Sequence, residues 1–271
     1  MESRYFSYKR GTDFIALDAV FRLSDKYLSE RLRQICSNRL HLDWPNSLSG
    51  WDNREQLIAP DHSGYHPREY FCLPTLIIDF ANERLAEFSD VLPMAFYDLC
   101  RYHPEKVRCF AVDYAKHFPP RYNASRTRST LSPNVRQQYE RGREFVTRCI
   151  PRFLDEHVVK SKFADICLRR HYPKPDECSR SFDLLVWYIN RSISGDRSIG
   201  GRDGDPLYTL NLMMNMLSMN ELKIKEIKED KYVDEVHKVD FCEGCRKEMT
   251  QVCTNAREEI WATLPKLFGL A

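Results

Sequence analysis

The C-terminal stretch FCEGCRKEMTQVCTNAREEIWATLP, residues 241–265, decides the fold. Phe241, Cys245, Met249, Val252, Cys253, Ala256, Ile260, Trp261 and Leu264 recur every three or four residues. That is the period of one long amphipathic helix, and Pro265 is expected to end it. Upstream, Asp205-Pro206 opens a Met-rich helical stretch that runs to about Met219. Another helix, about Ser179 to Ile193, carries Phe182, Leu185, Val186, Tyr188 and Ile189. Ser132-Pro133 supplies an N-cap and a first-turn proline for a helix from about Asn134 to His157. Pro151 inside that pattern is expected to kink or split it.

The N-terminal half reads the same way. Thr12-Asp13 can cap a helix through Phe14, Leu17, Val20, Phe21 and Leu23. A second helix, about Ser24 to Leu40, places Tyr27, Leu28, Leu32, Ile35 and Cys36 on one face. Pro45 ends that pair, and Asn46 to Pro67 reads as a long connection with a short turn around Trp51. Leu76, Ile77, Phe80 and Ala81 form a stripe just after Pro74, the favoured first-turn position. Asp90 can cap a further helix through Pro93, Phe96, Tyr97 and Cys100. Residues 223–239 allow either a helix or an irregular strand, and no convincing strand alternation occurs elsewhere. The reading is all-α, with antiparallel helix pairs over residues 1–118 and a second helical unit over residues 119–271. The polar segment Phe118 to Pro133 is the expected linker. Burial is expected at Phe21, Leu32, Phe80, Phe96, Tyr97, Phe145, Trp187, Ile260 and Trp261, with roughly 3–5 kcal/mol lost on truncating Trp261.

Composition narrows the function classes. A chain of 271 residues is long enough for one large or two modest domains. Aromatics at 12% argue against disorder. Lys and Arg total 41 against 39 Asp and Glu, so no overall charge drives binding to nucleic acid or a membrane. The N-terminus carries no apolar run of signal-peptide length, and no stretch is apolar enough to span a bilayer. The ten cysteines are therefore expected as reduced thiols in the cytoplasm or nucleus. On that expectation the triplets starting at Asn123 and Asn190 are not glycosylated.

Several phrases, taken in order, carry a resemblance. They are Phe21-Arg22-Leu23-Ser24-Asp25-Lys26-Tyr27-Leu28, Asp43-Trp44-Pro45-Asn46-Ser47-Leu48 with Trp51-Asp52, and Leu92-Pro93-Met94-Ala95-Phe96-Tyr97-Asp98-Leu99-Cys100. Gly142-Arg143-Glu144, Cys242-Glu243-Gly244-Cys245, Arg257 to Trp261, and the ending Leu264-Pro265 with Phe268-Gly269-Leu270 follow. Together they span nearly the whole chain and resemble the region after the BTB domain in fungal, mainly mushroom-type, BTB proteins. Met1 falls where that domain's last elements would lie, so the BTB domain itself is expected to be missing or truncated. The resemblance implies an adaptor or regulator that works through protein contacts.

Cys242-x-x-Cys245 has the spacing at which two thiolates share a tetrahedral zinc, which then needs two more ligands. Cys167 and Cys178 are the candidates, because they bracket the loop Leu168 to Glu177; the resemblance also implies a similar cysteine pair. His171 could replace one thiolate. The alternative is reduced cysteines at a helix start with the other pair unrelated. A thioredoxin-like use would need an α/β unit, and none is visible. The loop Gly195 to Gly204 lacks a P-loop's Lys-Ser/Thr ending and reads as surface. Met213, Met214, Met216 and Met219 read as core filling, with an adaptable partner surface as the alternative.

Arg121, Arg126, Arg128, Arg136, Arg141, Arg143, Arg148 and Arg152 face only Glu140 and Glu144 in their stretch. They could meet nucleic-acid phosphates, with Tyr122 and Tyr139 for stacking, or form a solvated face paired with residues 226–240. The leading expectation is a non-enzymatic intracellular protein with protein partners, no membrane and no small-molecule substrate. It carries either no cofactor or a structural zinc on Cys167, Cys178, Cys242 and Cys245. A zinc-containing nucleic-acid-binding regulator using the arginines of residues 121–152 is the alternative.

Overall fold

The computed structural model describes residues 13–58, 71–101, 131–159, 167–168, 176–193, 205–228 and 231–270. Among these the fold is all-α, with one two-stranded hairpin. Contacts divide the chain into two compact units, residues 1–142 with 264–271, and residues 143–263. The expected boundary at 118/119 lies outside the described residues, as do the loop from Gly195 to Gly204 and most of the expected linker.

In the first unit, α1 (Asp13–Lys26) and α2 (Glu30–Asp43) pair through a tight turn. The α1 face carrying Phe14 and Phe21 packs on Phe80 and Phe88, with ring centroids 5.2–5.6 Å apart in edge-on contacts. Phe80 lies on α4 (Pro74–Asn82), which does start with its proline in the first turn. Helix α5 (Leu85–Phe88) and a 3₁₀ turn (Ser89–Val91) lead into α6 (Leu92–Cys100), every residue of which is buried. Asp90 does not cap α6; its carboxylate meets His41 at 2.9 Å and Asn46 at 3.3 Å instead.

Two expectations fail in this unit. Helix α2 buries Cys36 and Leu40, whereas Tyr27, Leu28, Leu32 and Ile35 lie exposed. Tyr27 and Leu28 fall in the turn before α2, and along α2 the buried line starts only at Cys36 and Leu40, leaving Leu32 and Ile35 outside it. The stretch after Pro45 is not a connection but helix α3 (Leu48–Ile58). Trp51, Arg54 and Glu55 fall at i, i+3 and i+4, on one buried face of it.

Arg54 sits at the centre of the first unit's polar core. Its guanidinium lies over Trp44, Trp51 and Phe71, at 4.8, 4.6 and 4.2 Å from the ring centroids. It donates to the Asp43 carbonyl at 2.7 Å, to Glu55 at 2.8 Å and to Asp98 at 3.3 Å. Arg101 grips the same two acids, at 2.8 Å from Glu55 and 3.3 Å from Asp98. Two arginines against two carboxylates leave this knot formally neutral.

Helix α7 (Pro133–Leu154) starts as the sequence predicts, with the Val135 N–H donating to Ser132 Oγ at 3.4 Å. Pro151 does not split it; the helix runs on to Leu154, and one turn of π-helix, Asp155–Val159, follows. Gly142 of α7 faces Phe268 and Cys100, and Phe268 stacks on Phe96 at 5.2 Å. A Cβ on Gly142 would lie 2.6 Å from Cys100 Sγ and closer still to the Phe268 ring. Gly142→Ala is expected to cost about 1–3 kcal/mol by overpacking, read as a lower urea midpoint; an unchanged midpoint would contradict this packing.

The second unit holds the rest of α7, α8 (Asp176–Ile193), α9 (Pro206–Leu217), the hairpin, and most of α10 (Glu243–Leu267). Asp205 caps α9 by accepting from the Tyr208 N–H at 3.1 Å. Met213 and Met216 are buried, Met214 is partly so, and Met219 is exposed. Strands β1 (Glu221–Lys228) and β2 (Lys231–Lys238) pair antiparallel from Glu221↔Lys238 to Lys228↔Lys231. Of residues 223–239, 223–228 and 231–238 therefore take the strand option rather than the helix.

Helix α10 runs two residues past the expected stop, with Pro265 inside its last turn. It ends where Gly269 adopts φ +64°, while the Leu270 N–H bonds to the Pro265 carbonyl and the Gly269 N–H to Lys266. This paired closure is a Schellman cap, and its left-handed residue is normally glycine. Of the expected core, Phe21, Phe80, Phe96, Tyr97 and Ile260 are buried. Phe145 and Trp261 are only half-buried, and Leu32 and Trp187 are exposed. Truncating Trp261 therefore costs less than a full core deletion. Among the described residues no helix is long and apolar enough to cross a membrane.

Candidate metal centre

Residues from three separate places in the second unit meet at one point. Cys178 lies in the first turn of α8, Cys242 just before α10, and Cys245 in the first turn of α10. Cys167 lies in the short described segment of residues 167–168. Their four sulfurs all fall within 4.8 Å of one another, and all four residues are at most 8% exposed. His171, the alternative ligand, lies outside the described residues.

The start of α10 is held against α8 by packing and by a polar clamp. Phe241 packs on Phe182 with ring centroids 4.8 Å apart. Ser181 Oγ donates to the Glu177 carbonyl at 2.8 Å and accepts from the Asp240 N–H at 2.8 Å. These contacts fix the two residues before Cys242, so the thiol is aimed before any ion arrives. The spacing of Cys242 and Cys245 then follows from helix geometry, one turn bringing both side chains to the same side.

Backbone N–H groups point at the sulfurs. Cys242 N donates to Cys178 Sγ at 3.2 Å, and Cys245 N to Cys242 Sγ at 3.5 Å. Cys167 Sγ and Cys242 Sγ are 3.9 Å apart. Burial works to raise the Cys242 thiol, but donors outweigh it, the N–H groups of Cys245 and Leu168 foremost, and its pKa falls to about 7. Burial pushes Cys178 up to about 11 and raises Cys245 as well. The opposite directions at Cys242 and at Cys178 and Cys245 keep several anions from being packed together. A divalent cation at the centre would reverse that balance and deprotonate its ligands outright.

The fit to a metal is geometric. Tetrahedral zinc with Zn–S bonds of about 2.3 Å sets sulfurs about 3.8 Å apart. The observed separations need at most a small contraction. The site could hold a metal ion, and four protein sulfurs would complete a tetrahedron. The clamp through Ser181 and Asp240 and the Leu168 donor were missed from sequence, since no residue pattern marks a backbone N–H aimed at sulfur.

The arginine stretch offers less. Arg148 pairs with Glu144 on α7 and Arg152 with Glu156 in the π-helical turn after it, both at 2.8 Å, and Arg141 reaches the Leu267 carbonyl at 3.5 Å. Arg121, Arg126 and Arg128 lie outside the described residues. Compared with family models, curated proteins and solved structures, the chain matches none.

Proposed function

We propose that this chain is a non-enzymatic adaptor or regulator working through protein contacts, its C-terminal unit stapled by one structural zinc ion. Cys167, Cys178, Cys242 and Cys245 are the ligands. The carrying observation is the convergence of four buried sulfurs within 4.8 Å from three parts of the chain. Such a site is structural because four protein ligands leave no open position for water or substrate. The ion would tie the segment around Cys167 to the starts of α8 and α10, so that binding energy becomes folding energy. The thiolates call for reducing surroundings, which puts the protein in the cytoplasm or nucleus.

The resemblance to the region after fungal BTB domains supports the protein-contact half of this reading. The exposed leucines of the α1–α2 turn support it too, since apolar side chains bare on one surface mark interaction sites. The nucleic-acid alternative is weakened by the carboxylates already paired with Arg148 and Arg152. The test has two parts. Protein purified without chelator should carry one zinc per chain. A broad activity screen should find no turnover; reproducible turnover lost on replacing one polar residue would contradict the reading. So would salt-dependent DNA or RNA binding lost when Arg136, Arg141 and Arg143 are neutralised.

A further inference from the structure

Helix α1 is apolar on two sides. Phe14, Leu17 and Phe21 enter the core, while Ala16, Ala19, Leu23 and then Tyr27 recur at i, i+3, i+7 and i+11 on the outside. Leu28 follows in the turn, and Leu32 and Ile35, at i and i+3 on α2, are exposed as well. Leu23 is 49% exposed, Tyr27 69%, Leu28 90%, Leu32 40% and Ile35 38%. Asp18, Arg22, Asp25 and Lys26 keep α1 from being apolar all round, but an apolar line left on its outside still calls for a cover. Leu28 sharpens the point. It takes a left-handed backbone, φ +52°, which strains any residue with a Cβ, and it is the most exposed of the five.

We propose that the α1–α2 turn is the centre of a two-fold dimer, a second copy of this chain being the occupant. Area and charge argue for it. The five side chains expose roughly 500 Å² of apolar surface, the size of a monomer's largest patch, which is often functional. With a polar rim around it, that approaches the roughly 800 Å² each partner buries in a stable complex. The rim alternates in sign, with Asp25 beside Lys26 on α1 and Glu30 beside Arg31 on α2. A two-fold axis sets a patch against itself. A rim of one sign would repel its own copy, whereas this exposed rim is mixed: Asp25, also 4.0 Å from Arg84, Lys26, which lies over the Tyr27 ring, and then Glu30 and Arg31. A strongly charged partner would have selected a rim of one sign instead.

This dimer rests on the protein-contact reading and names one partner for it, yet it fails separately. The experiment is sedimentation velocity on the full chain over a concentration series, with wild type, Leu28→Gly and a Tyr27→Glu/Leu32→Glu double variant. Wild type should pass from monomer to dimer mass as concentration rises. Leu28→Gly relieves the left-handed strain, so it should unfold at higher urea while its dimer dissociation constant rises roughly tenfold or more. The double variant should stay monomeric with an unchanged helical spectrum. A wild type that is monomeric throughout overturns the dimer and leaves the zinc reading standing. A dimer indifferent to these substitutions, or assemblies larger than two, would overturn it equally. Turnover in the activity screen is the separate result that removes the protein-contact reading.

Discussion

Replacing Arg54 with alanine should cost about 3–5 kcal/mol of unfolding free energy, the largest single loss at any non-cysteine position described above. Two effects add. The guanidinium fills the space between Trp44, Trp51 and Phe71, so truncation opens a cavity lined by three rings. It also takes away a cation that Glu55 and Asp98 share with Arg101, in a place water reaches poorly. Arg54→Lys should recover only part of the loss. An ammonium cannot span the Asp43 carbonyl, Glu55 and Asp98 together or lie flat against indole rings. Arg54→Met combined with Asp98→Asn removes one charge of each sign, and its cost should fall well short of the sum of the single changes. Urea unfolding of wild type, Arg54→Met, Asp98→Asn and the double variant checks this. Additive costs would mean that Arg54 acts by packing alone.

Cys245→Ser should produce the second large effect. Three thiolates and a hydroxyl hold zinc far more weakly than four thiolates, because hydroxyl is a poor ligand for a borderline-soft ion. Structural zinc sites in small peptides contribute about 10–16 kcal/mol of apparent binding energy. Here the second unit has an apolar core of its own, including Ile150, Leu185, Leu210, Met213 and Met249. Only part of that energy is therefore needed to keep it folded. The expected result is loss of the metal, a lower thermal midpoint, and a midpoint no longer sensitive to chelator. Acid should do the same to the wild type, since each ligand must be a thiolate to bind and protons compete as pH falls. Cys36→Ser is the control. Cys36 is fully buried on α2 with its pKa raised to about 11 by burial. Its change should lower stability modestly and leave metal content untouched. If Cys245→Ser behaves no differently from Cys36→Ser, the four sulfurs are packing residues.

How far the sequence discloses this arrangement depends on where each signal lives. Helices α4, α7, α9 and α10 are visible because their apolar spacing, prolines and caps are local, and local signals survive folding. The four sulfurs come within reach of one another as the spacing of Cys242 and Cys245 and the bracketing by Cys167 and Cys178 suggest. What aims them is not visible: the Ser181 clamp and the N–H donors depend on backbone placement across residues far apart in sequence. Helix α3 was hidden by the prolines and polar residues around it, although Trp51, Arg54 and Glu55 already had helical spacing. The knot they form with Asp98 and Arg101 is a tertiary fact, because nothing local pairs residues 44 positions apart. The stripe through Tyr27, Leu28, Leu32 and Ile35 misled for a related reason. Periodicity marks apolar faces but does not say whether the cover comes from the same chain. The strand option for residues 223–239 won because β1 and β2 pair with each other, a choice that composition left open.

The central claim is that one zinc ion sits on four sulfurs, and zinc-edge X-ray absorption of protein purified without chelator tests it most directly. The account predicts one zinc per chain with a single shell of four sulfurs at about 2.3 Å and no nitrogen or oxygen neighbour. Zinc-free protein, or zinc in a shell containing nitrogen or oxygen in place of one or more of these sulfurs, would contradict it.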